Sequence, residues 1–298
     1  MVTESNPIGY FEFNKVPAGS WEIHEIAPPK AFVLNEESFP AEITEDGETI
    51  EITIQNQIIR GTVETTKADA DYPENKLTGA LFEVYADVDS NGEFNPDIDL
   101  LAGELAESDP GHYQLKDLVY GGYFLHEQKA PEFFEKDDGY YPFSITENGA
   151  VVRVETKAGA GFLNQAQTGT LKIVKTADDD KIADRKFLVT GTAYAGGEYE
   201  QEFQTDEKGE ISVTLRVGKY TVSELPGEDA AAYELPSGQT VEIKAGETVT
   251  VAMHNRLIPK EIPKTGDLPW LPWTIGGAAV LSLGGLGLLL ALRRRKKR

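Results

Sequence analysis

The sequence predicts an all-β protein built from tandem β-sandwiches, and three observations predict it. Short runs such as Glu51-Ile52-Thr53-Ile54 and Ile211-Ser212-Val213-Thr214-Leu215 alternate along the chain with the two-residue period of a half-buried strand. Gly, Asp, Asn and Pro clusters punctuate these runs, and no amphipathic helical period interrupts them up to about residue 257. The pattern also repeats, as stacked or strung sandwich units require.

The repeat has three recognisable elements. Trp21-Glu22-Ile23-His24-Glu25, Tyr123-Phe124-Leu125-His126-Glu127 and Tyr220-Thr221-Val222-Ser223-Glu224 each follow a glycine turn. Ile52-Thr53-Ile54-Gln55-Asn56, Gly161-Phe162-Leu163-Asn164 and Val251-Ala252-Met253-His254-Asn255 form the second element. The third occurs twice, as Gly61 to Lys67 and Gly169 to Lys175, each lysine six residues after its glycine. These marks divide the chain into residues 1–59, the back half of one unit, and two complete units at 60–166 and 167–259. A C-terminal segment, 260–298, follows. The links Gln57–Arg60 and Gln165–Thr168 are too short for flexible tethers, so the units are expected to stand end to end as a semi-rigid rod.

Composition narrows the function. The 298 residues hold two or three domains. Cysteine is absent, so no disulfide braces the fold. The net charge is −22, and without the cations at 293–298 the balance is 22 basic against 50 acidic residues. Such a surface repels nucleic acid and anionic membrane, so no nucleic-acid partner is expected. The first twenty residues carry neither a basic n-region nor an apolar h-region, so no signal peptide is read there.

The C-terminal segment begins with Ile262-Pro263-Lys264-Thr265-Gly266. A charge-free apolar run of 25 residues follows, Leu268 to Leu292, and then Arg293-Arg294-Arg295-Lys296-Lys297-Arg298. At about 1.5 Å per residue the run spans a hydrocarbon layer as a transmembrane helix. Trp270 and Trp273 sit at one interface, and the cations hold the tail in the cytoplasm. This order of parts resembles the LPxTG-type sorting signal of Gram-positive wall-anchored surface proteins, with Ile262 in the usual leucine position. The resemblance implies cleavage between Thr265 and Gly266 by a sortase. The Thr265 carboxyl then passes to an amine of the peptidoglycan precursor or of a pilin lysine, so the membrane holds the chain only transiently. A sorting signal with no export signal reads as the C-terminal piece of a longer surface protein.

Within the repeats, each complete unit places three polar residues where alternation calls for core side chains. Leu171, Ile173 and Lys175 share one strand face, as Val63, Thr65 and Lys67 nearly do. So do Tyr123, Leu125 and Glu127; Tyr220, Val222 and Glu224; and Val251, Met253 and Asn255. A buried unpaired charge is very costly, so each lysine, glutamate and asparagine are expected to meet. Apolar burial favours a neutral lysine and a protonated glutamate. A neutral amine can attack a carboxamide carbon while the acid polarises the amide oxygen and passes protons to the departing ammonia.

These motifs resemble the SpaA/CnaB domains of Gram-positive pilins and adhesins, over nearly all of residues 1–259. The resemblance implies tandem Ig-like or prealbumin-like sandwiches and self-formed Lys–Asn isopeptide bonds. Lys67, Glu127 and Asn164 are then one triad and Lys175, Glu224 and Asn255 the other, with Glu127 and Glu224 catalytic. Glu25 and Asn56 match in the first unit, which shows no lysine strand. Ala27-Pro28 and Ala130-Pro131 fit the family's alanine-proline after the glutamate, and Leu225-Pro226 departs from it.

Other sites carry less. Asp87, Asp89, Asn91 and Glu93 follow the early spacing of an EF-hand-type calcium loop, with Gly92 at its sixth position. Ile98 stands where a glutamate would close it, so Asp97 or Asp99 would supply the late carboxylate. A calcium loop and a solvated acidic hairpin both remain open, and no other cofactor is required. His24-Glu25 and His126-Glu127 begin like a zinc-protease motif but lack its second histidine. Alternation points His24, His126 and His254 outward. Tyr72-Pro73-Glu74-Asn75-Lys76 faintly resembles a pilin polymerisation segment and reads as a turn. The expected protein is therefore the stalk and anchor of a wall-linked adhesin at the cell surface, any host ligand being bound by upstream domains. A pilus subunit polymerised by a pilin sortase is the second reading. The anchor of a wall-bound enzyme with its catalytic domain elsewhere is the third, since residues 1–298 hold no site for an external substrate.

Overall fold

The computed structural model describes residues 1–259. The pentapeptide Ile262–Gly266, the apolar run and the basic tail lie outside the described residues, so the expected transmembrane helix does too. The described part is all-β, with a single turn of 3₁₀ helix at Ala230–Ala232 among the described residues.

Strands β1 (Gly19–His24) and β2 (Ser38–Ile43) form an antiparallel pair near the N-terminus. Strands β3 (Arg60–Asp69), β4 (Leu81–Ala86), β5 (Leu100–Glu104), β6 (Ala106–Asp109), β7 (His112–Val119), β8 (Gly121–Lys129), β9 (Tyr140–Ile145), β10 (Val151–Arg153) and β11 (Phe162–Asn164) build one sandwich. One of its sheets runs β10-β3-β7-β6 with β11 also on β3, and the other runs β5-β4-β8-β9. Strands β12 (Thr168–Ala177), β13 (Lys186–Ala193), β14 (Glu198–Gln204), β15 (Glu210–Arg216), β16 (Gly218–Glu224), β17 (Tyr233–Glu234), β18 (Gln239–Ile243) and β19 (Thr248–Leu257) build the next. Its sheets run β15-β12-β19-β17 and β14-β13-β16-β18.

Alternation produces the cores. Along β12, Leu171, Ile173, Lys175 and Ala177 are buried while the residues between them are less so. Val63, Phe82, Val84, Tyr113, Leu125 and Phe162 meet between the sheets of the β3–β11 sandwich, and Leu171, Ile173, Phe187, Val222, Val251 and Met253 between those of the β12–β19 sandwich. Each such side chain gains about 1.5–3 kcal/mol on burial. In both sandwiches the first strand pairs in parallel with the last, β3 with β11 and β12 with β19. Gly169, near the start of β12, lets the turn that leads into β19 approach closely: a Cβ there would lie 2.3 Å from the Lys244 carbonyl oxygen.

Two expectations are corrected here. The run Glu51–Ile54 is not a strand, although its side chains still alternate between exposed and half-buried. Among the described residues it has no adjacent strand to complete a ladder, and none of residues 1–59 is fully buried. His126 faces away from the core as alternation requires, yet it is 5% exposed. The loop after β4 folds Phe94 over the outer face of β8. Tyr140 there stacks on both Phe94 and His126, at 3.7 and 4.2 Å between ring centroids.

Candidate functional site

The sheet pairings bring Lys67, Glu127 and Asn164 together in the β3–β11 core. Lys67 lies opposite Phe162 in the parallel ladder, with Asn164 two residues further along the same face. Gly161 lets β11 approach so closely: its φ is +99°, and a Cβ there would fall 2.3 Å from the Thr66 carbonyl oxygen. Glu127 enters from the facing sheet, opposite Phe82 on β4. The Lys67 and Glu127 side chains are fully buried, and Lys67 Nζ lies 2.8 Å from Glu127 Oε1. Lys67 Nζ also donates to Asn164 Oδ1, while Asn164 Nδ2 donates to both Glu127 oxygens at 2.9 and 2.8 Å. The carboxylate therefore meets the amide nitrogen and the lysine meets the oxygen, which reverses the expected contact between acid and amide oxygen. Burial pushes the Lys67 ammonium down to about 8, against the opposing pull of Glu127.

Sequence reasoning missed what surrounds the triad. The backbone N–H of Asp137 donates to Glu127 Oε2 at 2.8 Å, and Asp137 is itself held by the Tyr141 hydroxyl at 2.7 Å. The Phe162 ring lies 4.4 Å from Lys67 Nζ, centroid to atom. Phe162 stands in the second repeat element, but its ring contact with the ammonium had no signal in strand periodicity.

The β12–β19 sandwich assembles its triad more loosely. Asn255 Nδ2 donates to Glu224 Oε1 at 2.8 Å, and Lys175 Nζ lies 3.5 Å from Glu224 Oε2. Lys175 Nζ donates instead to the carbonyls of Thr176 and Met253, at 2.7 and 3.3 Å. Glu224 Oε2 and Asn255 Oδ1 are buried without hydrogen-bond partners. Burial lowers the Lys175 pKa, opposed by Glu224. Near the N-terminus, Glu25 and Asn56 do meet, at 2.6 Å from Nδ2 to Oε2, and Asn35 N donates to the same carboxylate oxygen at 2.7 Å. That backbone donor stands ten residues after Glu25, as Asp137 stands ten after Glu127. No lysine joins this half-buried pair among the described residues.

In the acidic loop, carboxylate oxygens of Asp87, Asp89 and Asp99 lie within 4.8 Å of one another. Asp99 is buried and accepts the Val88 and Asn95 N–H groups, so its position is well anchored. Glu93 and Asp97 stand outside this group, and Asn91 Oδ1 is engaged by the Glu93 N–H. Three hard oxygen ligands suit calcium and fall short of its usual six to eight, leaving the remainder to carbonyls and water. The Tyr72–Lys76 segment is a turn, with Asn75 N bonded to the Tyr72 carbonyl and Lys76 Nζ to that of Pro73.

Comparison with known proteins agrees with this architecture. The family model of the SpaA prealbumin-like fold domain matches residues 1–58, 61–160 and 169–257. The Bacillus anthracis TIE protein superposes with a TM-score of 0.66 at 24% identity, over 85% of this chain and 44% of its own, which is a likeness of fold. A streptococcal ancillary pilin gives 0.30 at 18% identity, over 82% and 77% of the two chains. GBS52, the minor pilin of Streptococcus agalactiae, gives 0.29 at 17%, over 69% and 99%. No curated protein matches the sequence. The three matched segments cover most of the chain, which therefore belongs to the family of SpaA prealbumin-like fold domains.

Proposed function

We propose that this chain is the stalk and anchor region of a sortase-attached Gram-positive surface protein of the adhesin type, with sandwiches closed by Lys–Asn isopeptide bonds. The observation that carries this reading is the burial of Lys67, Glu127 and Asn164 in mutual contact inside an apolar core. A lysine there gains nothing from solvent, and a buried ion pair is weak evidence for stability by itself. A one-time reaction accounts for the trio. The Lys67 ammonium hands a proton to Glu127, and the neutral Nζ attacks Asn164 Cγ. The Cγ–Nδ2 bond then breaks as Glu127 returns that proton to Nδ2 and takes the second proton from Nζ, so ammonia leaves, the new amide keeps one N–H, and Glu127 ends protonated. The orientation of Asn164, with Nδ2 against both carboxylate oxygens, suits the transfer to Nδ2. Burial lowers the Lys67 pKa, which lessens the cost of passing its proton to Glu127. Lys175, Glu224 and Asn255 repeat the chemistry in the next sandwich.

The bond has a mechanical use. Each would tie the first strand of a sandwich to its last, so a pull along the chain cannot peel either strand away. Lys67 and Asn164 are 97 residues apart, and by analogy with a disulfide closing such a loop the bond is worth about 4.7 kcal/mol. Acidic, cysteine-free domains that resist tension suit a surface stalk, and the segment Ile262–Gly266 supplies the sortase signal in this reading. Sequencing the C-terminal peptide of protein released from purified wall by a muramidase tests the anchor. A peptide ending at Thr265 is expected, and an intact Arg298 tail as the main wall species would contradict it.

A further inference from the structure

The two candidate triads differ at the residue directly opposite the lysine. Lys67 pairs with Phe162 in the parallel ladder, and Lys175 pairs with Met253. Beside each glutamate, on the adjacent strand of its own sheet, stands a phenylalanine, Phe82 by Glu127 and Phe187 by Glu224, so the residue type there is shared; the Phe82 ring lies 5.7 Å from Lys67 Nζ, farther than that of Phe162. The Phe162 ring offers Lys67 Nζ a π-face at 4.4 Å and no competing acceptor, and Nζ reaches both Glu127 and Asn164. Met253 has no ring, and its sulfur receives the Gln239 side-chain amide at 3.5 Å. Lys175 then turns back to two backbone carbonyls, those of Thr176 and Met253.

That turn leaves Glu224 Oε2 and Asn255 Oδ1, two buried acceptors, without a hydrogen bond, the Lys175 Nζ standing off at 3.5 Å from Glu224 Oε2. Orphaned buried acceptors are costly, and rotating Lys175 Nζ toward them would satisfy both at once. Lysine thus has two seats in this core, one on the carbonyls and one between the acid and the amide. Lys67 occupies the second.

We infer that Phe162 and Met253 are positioning residues that set the order of cross-linking: the ring holds Lys67 in the reactive seat, while Lys175 rests on carbonyls and must leave them to reach Asn255. This rests on the isopeptide reading and adds a regulation to it. The Lys67–Asn164 bond forms first and the Lys175–Asn255 bond follows. A desolvated cation–ring contact makes the lag about tenfold. The chemistry at each site is unchanged: Nζ–Cγ forms, Cγ–Nδ2 breaks, and ammonia carries away the nitrogen.

The test is a pulse of cell-free translation of the full 298-residue chain, quenched in acid at intervals, digested, and assayed by mass spectrometry for each cross-linked peptide pair. The Lys67–Asn164 pair is expected to accumulate about tenfold faster than the Lys175–Asn255 pair. Phe162→Met is expected to slow the first site to the pace of the second, and Phe162→Tyr to leave it fast. Met253→Phe is expected to hasten the second site, while Met253→Leu, of similar volume without a ring, leaves it slow. Opposite signs for the two reciprocal exchanges separate positioning from damage, because a packing defect slows whichever site it touches. If Met253→Phe is too bulky to fold, the Phe162 variants carry the comparison alone. Equal rates at the two sites, or slowing by both exchanges, would overturn the two-seat inference while leaving the cross-link reading intact. Absence of both bonds would overturn that reading and the inference together.

Discussion

Arg216, at the end of β15, grips Asp69 of β3 through two hydrogen bonds of 2.6 and 2.9 Å that cross from one sandwich to the other. The same guanidinium bonds Asp71 at 2.6 Å and lies 4.9 Å from the centre of the Tyr72 ring. The Asp69 side chain is 1% exposed and also accepts the Asp71 N–H at 2.9 Å. Asp69 also stands opposite Asn164 in the ladder and two residues beyond Lys67. The joint between the sandwiches is therefore fastened to the strand end that carries the candidate cross-link.

Arg216→Ala is expected to destabilise the protein by about 2–3 kcal/mol, because it strands a buried carboxylate. The loss should be read from urea unfolding. Hydrogen exchange should quicken at the C-terminal end of β3 more than at its start. A variant with unchanged unfolding midpoint and exchange would show that the pair is dispensable.

The pH dependence of bond formation distinguishes the proposed role of Glu127. The reactive state, a neutral amine beside a protonated carboxyl, holds one proton, as the ion pair does. The rate is then level across neutral pH, since both forms carry the same proton count. It should fall as pH rises through about 8, where burial places the Lys67 titration and the pair loses its last proton. Cross-link formation in translated chains, quenched across a pH series, gives the profile. A rate that instead rises about tenfold per pH unit up to about 8 and then levels off would show that only the free amine matters.

Calcium is expected to bind the Asp87–Asp99 loop with weak to moderate affinity, through the three convergent carboxylates. Calorimetric titration of chelator-treated protein should show one site, and Asp87→Asn should weaken it at least about tenfold by removing a charged ligand. Asp97→Asn should change little, since Asp97 stands apart from the group. No heat at millimolar calcium would leave the loop an acidic cover for the aromatic layer over β8.

Much of this was legible in the sequence, and the reason is periodicity. A lysine, a glutamate and an asparagine each fell on an apolar strand face, and only a shared position in a core reconciles them with burial. The convergence of Glu25 with Asn56 was readable in the same way. What could not be read depends on contacts between distant segments. Residues Glu51–Ile54 alternate like a strand, but strand formation needs a neighbour. His126 points outward as expected, and its burial comes from the Tyr140 ring stacked on it, which is itself stacked on Phe94 from a loop some thirty residues before His126. The backbone N–H of Asp137 on Glu127, the orientation of the Asn164 amide and the turned-back Lys175 follow from side-chain geometry that no spacing encodes.

The most direct test of the account is the intact mass of the folded chain. Residues 1–259 are expected to fall short of the mass of their plain sequence by two molecules of ammonia, one from each bond. Glu127→Gln and Glu224→Gln should each restore one, since each removes the proton carrier and leaves both reacting side chains in place. Digestion should yield the peptide of Lys67 joined to that of Asn164, and that of Lys175 joined to that of Asn255. A folded wild-type chain with the full sequence mass would contradict the account and leave these residues as buried polar contacts.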